Sequence, residues 1–233
     1  MVTSMRNASV AVVGVGMVMA FATAPASAQS SGNFAASVAT AQCTVNDATG
    51  ALNGGISGTL LETTLKTPNS GGTALVIRPS LVTGLFTKSK TTATNPTATA
   101  VAGVKVRVLL DGKAVAPGSP VGSTLPEDGW IYFDKRFQQL STNIFDQVTT
   151  CGTLAAPQEC FLELVQSTLS AHSFDFVIGN AAGGIGGGDH SLKVEWRLEP
   201  STETANEKAC VGPGVLTVQQ VKTFSTGGGI VIQ

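Results

Sequence analysis

Several stretches of this chain alternate between apolar and polar residues, and this period of two constrains the fold more than any other sequence feature. In Val101–Leu110, aliphatic residues occupy every second position from Val104 onward, with Lys105 and Arg107 between them. Successive side chains of a β-strand point to opposite faces, so the pattern predicts a half-buried strand. Asp111-Gly112 follows at once and predicts a two-residue type I′ hairpin turn.

The same alternation in other segments predicts about nine strands in all. The strongest segments are His172–Ile178 and Leu192–Leu198, which alternate on both sides of a glycine-rich linker and predict an antiparallel hairpin. The remaining strand candidates are Ala36–Val45, Thr59–Lys66, Thr73–Arg78, Leu81–Lys88, Lys113–Ala116 and Trp130–Phe133, and Val215–Phe224 with Gly227–Gln233 as one or two closing strands.

The period changes in the middle of the chain. Apolar residues recur there at helical spacing, and Pro157 with Glu159 suits the start of a second helix. The two stripes consist of Phe137, Leu140, Ile144, Phe145 and Val148, and of Phe161, Leu164, Val165 and Leu169. We therefore predict a mainly β fold, a β-sandwich of jelly-roll or Ig-like topology, with a small two-helix insertion at about residues 135–170.

The N-terminus predicts export. Arg6 precedes an apolar run from Ala8 to Ala22, and Ala26-Ser27-Ala28 is typical of a signal-peptidase site. The run is shorter than the roughly 18 to 20 apolar residues of a membrane anchor. We expect residues 1–28 to be a signal peptide and residues 29–233 to form one domain without a membrane span. The protein would be secreted, or periplasmic if the source has an outer membrane.

The four cysteines predict two disulfides, because an even number in an oxidising compartment is typical of disulfide bonding. Of three possible connectivities we favour Cys151 with Cys160, which enclose a short loop, and Cys43 with Cys210, near the two ends of the mature chain. A metal site is disfavoured because the spacing lacks a C-x2-C pair.

The charge content limits the classes of partner. Only 12% of the residues are charged, and the formal net charge is −1. Such a chain has no basic stripe to neutralise phosphates, so we expect no nucleic-acid binding. No motif predicts a cofactor, a metal or a catalytic set.

The segment Ala171-His172-Ser173-Phe174-x-Phe176, followed by a glycine-rich loop, His190 and a strand ending near Trp196, resembles an arrangement in uncharacterised secreted bacterial β-sandwich proteins. The segment Arg78–Leu85 also resembles sequences in these proteins. The resemblance implies a secreted bacterial protein of one domain and no particular chemistry.

The remaining chemical motifs are weak. In the predicted hairpin the two histidines would lie roughly 20 Å apart, too far to share a site. His172 is expected to be a hydrogen-bonded core residue, and His190 beside Asp189 supplies at most two metal ligands. The glycine-rich stretch Gly183–Asp189 precedes a strand and lacks Gly-Lys-Ser/Thr, so it predicts a flexible connection.

These observations favour a secreted, non-catalytic protein that acts through its surface, structural or associated with the cell envelope. In one version it self-assembles, with Gly229–Gln233 pairing with an open sheet edge of a neighbour. The first alternative is a carbohydrate-binding module that uses Trp130 and Tyr132, which share one face of a strand. The second alternative is an unrecognised secreted hydrolase.

Overall fold

The computed structural model describes residues 33–46, 49–53, 57–68, 73–115, 125–143, 160–179, 185–199, 206–226 and 229–232. These ranges are mainly β and contain no α-helix. They form eleven strands: β1 Phe34–Ala39, β2 Ser57–Thr67, β3 Thr73–Thr92, β4 Thr97–Leu110, β5 Lys113–Val115, β6 Ile131–Ser141, β7 Phe161–Ser173, β8 Phe176–Gly179, β9 Gly188–Glu199, β10 Glu207–Thr226 and β11 Gly229–Ile232.

The strands form two antiparallel sheets. The first sheet has the order β1-β10-β3-β7, with β8 also beside β3 and β11 beside β10. The second has the order β2-β9-β4-β5, with β6 also beside β4. The pairings are nested along the chain, because β1 pairs with β10, β2 with β9, β3 with β7 and β4 with β6.

The two sheets pack face to face over one aliphatic core. Alternate residues of β3 and β4 point inward, as the period of two requires, and their side chains are almost fully buried. The core includes Leu75, Ile77, Leu81, Leu85, Val104, Val106, Val108, Leu110, Phe176, Ile178, Leu192, Val194, Leu198, Leu216 and Val218.

The predicted turn after β4 is confirmed. Asp111 and Gly112 have positive φ angles of 51° and 77°, and Leu110 pairs with Lys113 across the turn. Positive φ at both central residues is the requirement of a type I′ hairpin. This turn leads into β5.

The two-helix insertion is not present where the structure describes the chain, because residues 131–141 and 161–173 are strands. Residues 144–159 of the predicted insertion lie outside the described ranges. The prediction treated the apolar residues of β6 as its buried side, whereas Phe137 is 64% exposed and Gln138 is 6% exposed. Asp134, Arg136 and Gln138 bond to the opposite sheet from the inner side of β6. Ile131 and Phe133 at the start of the strand pack against the core. Apolar spacing therefore gave the wrong period for the later part of β6.

The predicted hairpin between His172–Ile178 and Leu192–Leu198 is also wrong. Strands β7 and β8 pair with β3 in the first sheet, whereas β9 lies between β2 and β4 in the second. Consequently Asp175 forms an ion pair with Arg78 of β3. Alternation identifies a half-buried strand, but it does not identify the strand that pairs with it.

The disulfide between Cys43 and Cys210 is present. Cys210 pairs with Gly84 in the first sheet, on the face directed away from the core. Cys43 and Cys210 pack there with Leu52 and Phe86 in a small second cluster. Cys160 is also disulfide-bonded, and Cys151, its predicted partner, lies outside the described ranges.

The chain ends bear on two predictions. Strand β11 pairs with β10 of its own chain. This C-terminal segment, which one version of the prediction paired with a neighbouring molecule, therefore has a partner strand within its own sheet. The predicted signal peptide, residues 1–28, lies outside the described ranges. Among the residues that the structure describes, no helix has the length and apolar character needed to cross a bilayer.

Candidate functional site

Trp130 and Tyr132 lie at the start of β6, on the side of the second sheet that faces away from the core. Tyr132 is exposed and Trp130 is half-buried. The guanidinium carbons of Arg107 and Arg197 lie 4.7 and 4.6 Å from the centre of the Trp130 ring. Both arginines come from neighbouring strands of this sheet, so the indole is held against it by cation–π contacts.

The ring of Tyr132 is contacted in the same way. The ammonium groups of Lys105 and Lys135 lie 4.3 and 4.4 Å from its centre. Sugar stacking on this ring would compete with the two lysines for the ring surface. The aromatic pair therefore forms part of a cationic surface and is not a bare platform.

Acidic residues balance several of these cations. Arg107 donates to Glu195, and the nearly buried ammonium of Lys105 donates to Glu127. The hydrogen bond between Lys105 and Glu127 raises the pKa of Lys105 above its usual value and lowers the pKa of Glu127. Lys105 lies against the ring of Tyr132, and its hydrogen bond to Glu127 links the turn containing Glu127 to the sheet.

The first histidine, His172, lies between the sheets near a serine and a carboxylate. Its Nε2 atom is 2.8 Å from Ser170 Oγ and 3.4 Å from Asp134 Oδ2. Asp134 also accepts a hydrogen bond from the buried Thr83 hydroxyl. A relay needs the carboxylate on one imidazole nitrogen and the serine on the other, whereas here both approach Nε2. This arrangement stabilises the sheet packing and lacks the geometry of a nucleophilic triad.

The second histidine, His190, joins three segments. Its Nδ1 is 2.7 Å from Asp111 in the β4–β5 turn, and its Nε2 is 2.8 Å from the carbonyl oxygen of Gly186 and 3.0 Å from Thr67 Oγ1. Burial lowers the pKa of His190, but hydrogen bonds to Asp111 and Gly186, with the charges of Asp111 and Asp189, raise it overall. The imidazolium form can donate to both acceptors at once.

The described ranges contain no cluster of side chains that could bind a metal ion. No group of three or more histidine, cysteine, aspartate or glutamate side chains is close enough there to hold an ion. His190 and Asp111 are only two side chains of this kind in contact. The carbonyl oxygen of Gly186, in the glycine-rich loop, is hydrogen-bonded to His190.

A groove of about 460 Å³ crosses the outer face of the first sheet. One wall is a row of side chains in register across four strands, namely Val38, Val215, Ser80 and Ser173. Val82, Ala171 and Pro213 form the other wall. These residues are small or apolar, and the register shift between Val211 and Gly214 displaces Pro213 from the regular ladder. The groove therefore suits an apolar side chain or segment.

Exposed apolar side chains are concentrated around the same sheet. The described residues include ten large apolar side chains classed as exposed, of which seven lie on strands of the first sheet. These seven are Phe34, Val38, Phe161, Leu162, Val165, Leu169 and Val215. Sequence reasoning missed this surface because it assigned Phe161–Leu169 to a helix and because the groove depends on strand register.

No protein family model matches the chain, and no characterised protein is significantly similar to it in sequence.

Proposed function

We propose that this protein is an exported, non-catalytic β-sandwich protein that acts through its surface, as a structural or envelope-associated component that associates with copies of itself. The concentration of exposed apolar side chains on the first sheet carries this proposal. Exposed apolar side chains in excess of scattered single residues are typical of an interaction site.

The arrangement of charges supports a binding role over a chemical one. The ionisable groups with shifted pKa values in the described residues lie in ion pairs or in the His190 contact with Asp111. Asp175, for example, accepts two hydrogen bonds from Arg78, and hydrogen bonding to Arg78 lowers its pKa. Groups held in this way stabilise strand positions.

Of the two predicted topologies we propose the jelly roll. The nested pairings of β1 with β10, β2 with β9, β3 with β7 and β4 with β6 support it, because a jelly roll is one long hairpin rolled into two sheets. Strands β5, β8 and β11 are short additions to that plan.

Cell fractionation and sedimentation test the proposal together. We expect the mature protein, beginning after Ala28, outside the inner membrane, and we expect it to co-sediment with isolated envelopes or to associate with itself across a dilution series. Val38→Asp, a variant in the groove of the first sheet, should weaken envelope binding without altering the melting temperature. A monomer that binds no envelope material at any concentration contradicts the proposal.

A second candidate is carbohydrate binding at Trp130 and Tyr132. Four cationic side chains on these two rings favour an acidic polysaccharide, which could bind the cations and the rings together. In a Trp196→Phe background, Trp130 is the only tryptophan and reports binding by its fluorescence. Quenching by a polyuronic acid and not by a neutral glucan supports this candidate. An unchanged signal with both polysaccharides excludes it.

A further inference from the structure

The edges of the two sheets differ in how they resist pairing with another chain. Charged residues and bulges on an edge strand discourage edge-to-edge association. On β2, Glu62, Lys66 and a bulge between Thr59 and Leu61 serve this purpose. Strand β6 carries three consecutive charges, Asp134 to Arg136, and β1 is only six residues long.

Strand β7 lacks these devices. It is thirteen residues long, pairs with β3 on one side and with no other strand in the described ranges, and contains no lysine, arginine, proline or glycine. Glu163 is its only acid. Four of its apolar side chains, Phe161, Leu162, Val165 and Leu169, are exposed. A strand added beside β7 would cover them.

The sequence of β7 is complementary to itself in the antiparallel sense. Pairing centred on Ser167 places Val165 opposite Leu169 twice, and it places Gln166 opposite Thr168. Such apolar and hydrogen-bonding pairs stabilise antiparallel strands. The two Glu163 residues would face Ala171 and lie about 27 Å apart along the strands, beyond the screening length at physiological salt.

We propose that two copies of this chain pair β7 with β7 about a two-fold axis through Ser167, which joins their first sheets into one continuous sheet. This inference rests on the proposed function, and it assigns the proposed self-association to the edge of β7. The two-fold contact uses the free edge of both copies, so association through β7 stops at the dimer.

Sedimentation of the full oxidised chain tests the interface. The wild-type protein should sediment as a dimer, and Val165→Lys should sediment as a monomer with unchanged circular dichroism. The matched control Phe137→Lys, an exposed position on β6, should remain a dimer. If Val165→Lys fails to fold, Leu162→Lys tests the same edge.

Cross-linking tests the register. Ser167→Cys should yield a covalent dimer under mild oxidation, because the two residues would face each other across the axis. Glu163→Cys alone should not, whereas a mixture of Glu163→Cys and Ala171→Cys should.

The outcomes separate this interface from the proposed function. A wild-type monomer at every soluble concentration, or a dimer that Val165→Lys leaves intact, overturns the β7 interface. In either case, envelope binding that Val38→Asp weakens would still support the proposed function.

Discussion

Gly84 of β3 lies directly beneath the disulfide. A Cβ atom there would lie 2.5 Å from Cys43 Sγ and 2.7 Å from Cys210 Sγ, far inside van der Waals contact. We therefore expect Gly84→Ala to destabilise the protein by about 1–3 kcal/mol through overpacking, as measured by urea unfolding. The control Gly58→Ala meets its nearest atom, Trp196 Nε1, at 3.6 Å and should cost little. Equal effects of the two variants would show that the disulfide does not require glycine beneath it.

His190 makes stability depend on pH. Its pKa is raised in the folded protein, so its contribution is complete below the unfolded value of about 6.5 and is lost as pH rises through the folded pKa. Neutral imidazole cannot donate to both Asp111 and Gly186, which is the physical reason. The difference in unfolding free energy between wild type and His190→Gln should therefore decrease as the pH rises from below about 6.5 through the folded pKa of His190. A difference that stays constant with pH contradicts the assignment.

Between Asp134 and Gln138, strand β6 directs alternate polar side chains inward. Truncating a polar residue there should therefore cost more stability than truncating an apolar one. Gln138 accepts a hydrogen bond from buried Thr87 and donates to the carbonyl oxygen of Leu164. Gln138→Ala leaves both groups unpaired and should cost about 1–3 kcal/mol. Phe137→Ala, on the exposed side, should change stability by less than about 0.5 kcal/mol. Thermal unfolding of both variants checks the order, and the opposite order would contradict the register of β6.

The same strand shows why part of the fold could not be predicted. Apolar spacing predicts a helix only if the apolar residues of the stripe are buried, and Phe137, the first of them, is exposed. Asp134 and Arg136 find partners in the opposite sheet, Thr83 and Thr168, and neither partner is near them in sequence. The period of a segment indicates its structure only when burial follows polarity.

At the scale of the molecule, one disulfide joins distant parts of the chain. Cys43 and Cys210 are 167 residues apart in sequence and link the segment after β1 to β10. In the chain-entropy account, closing a loop of this size stabilises the fold by about 5 kcal/mol. Replacing both with alanine should lower the unfolding free energy by up to that amount, measured in urea with the Cys160 disulfide intact. A loss below about 1 kcal/mol would show that the unfolded chain is already constrained.

Alternation and turn residues in the sequence predicted the mainly β class, several strands and the Asp111-Gly112 turn, because these follow from backbone geometry within a few residues. The number and positions of the cysteines favoured the pairing of Cys43 with Cys210 among three connectivities, and the structure contains that disulfide. Which strands pair, which polar residues of β6 point inward, and where the groove and the β7 edge lie became known only from the structure. These depend on contacts between strands far apart in the chain, and alternation along one strand carries no information about its partner.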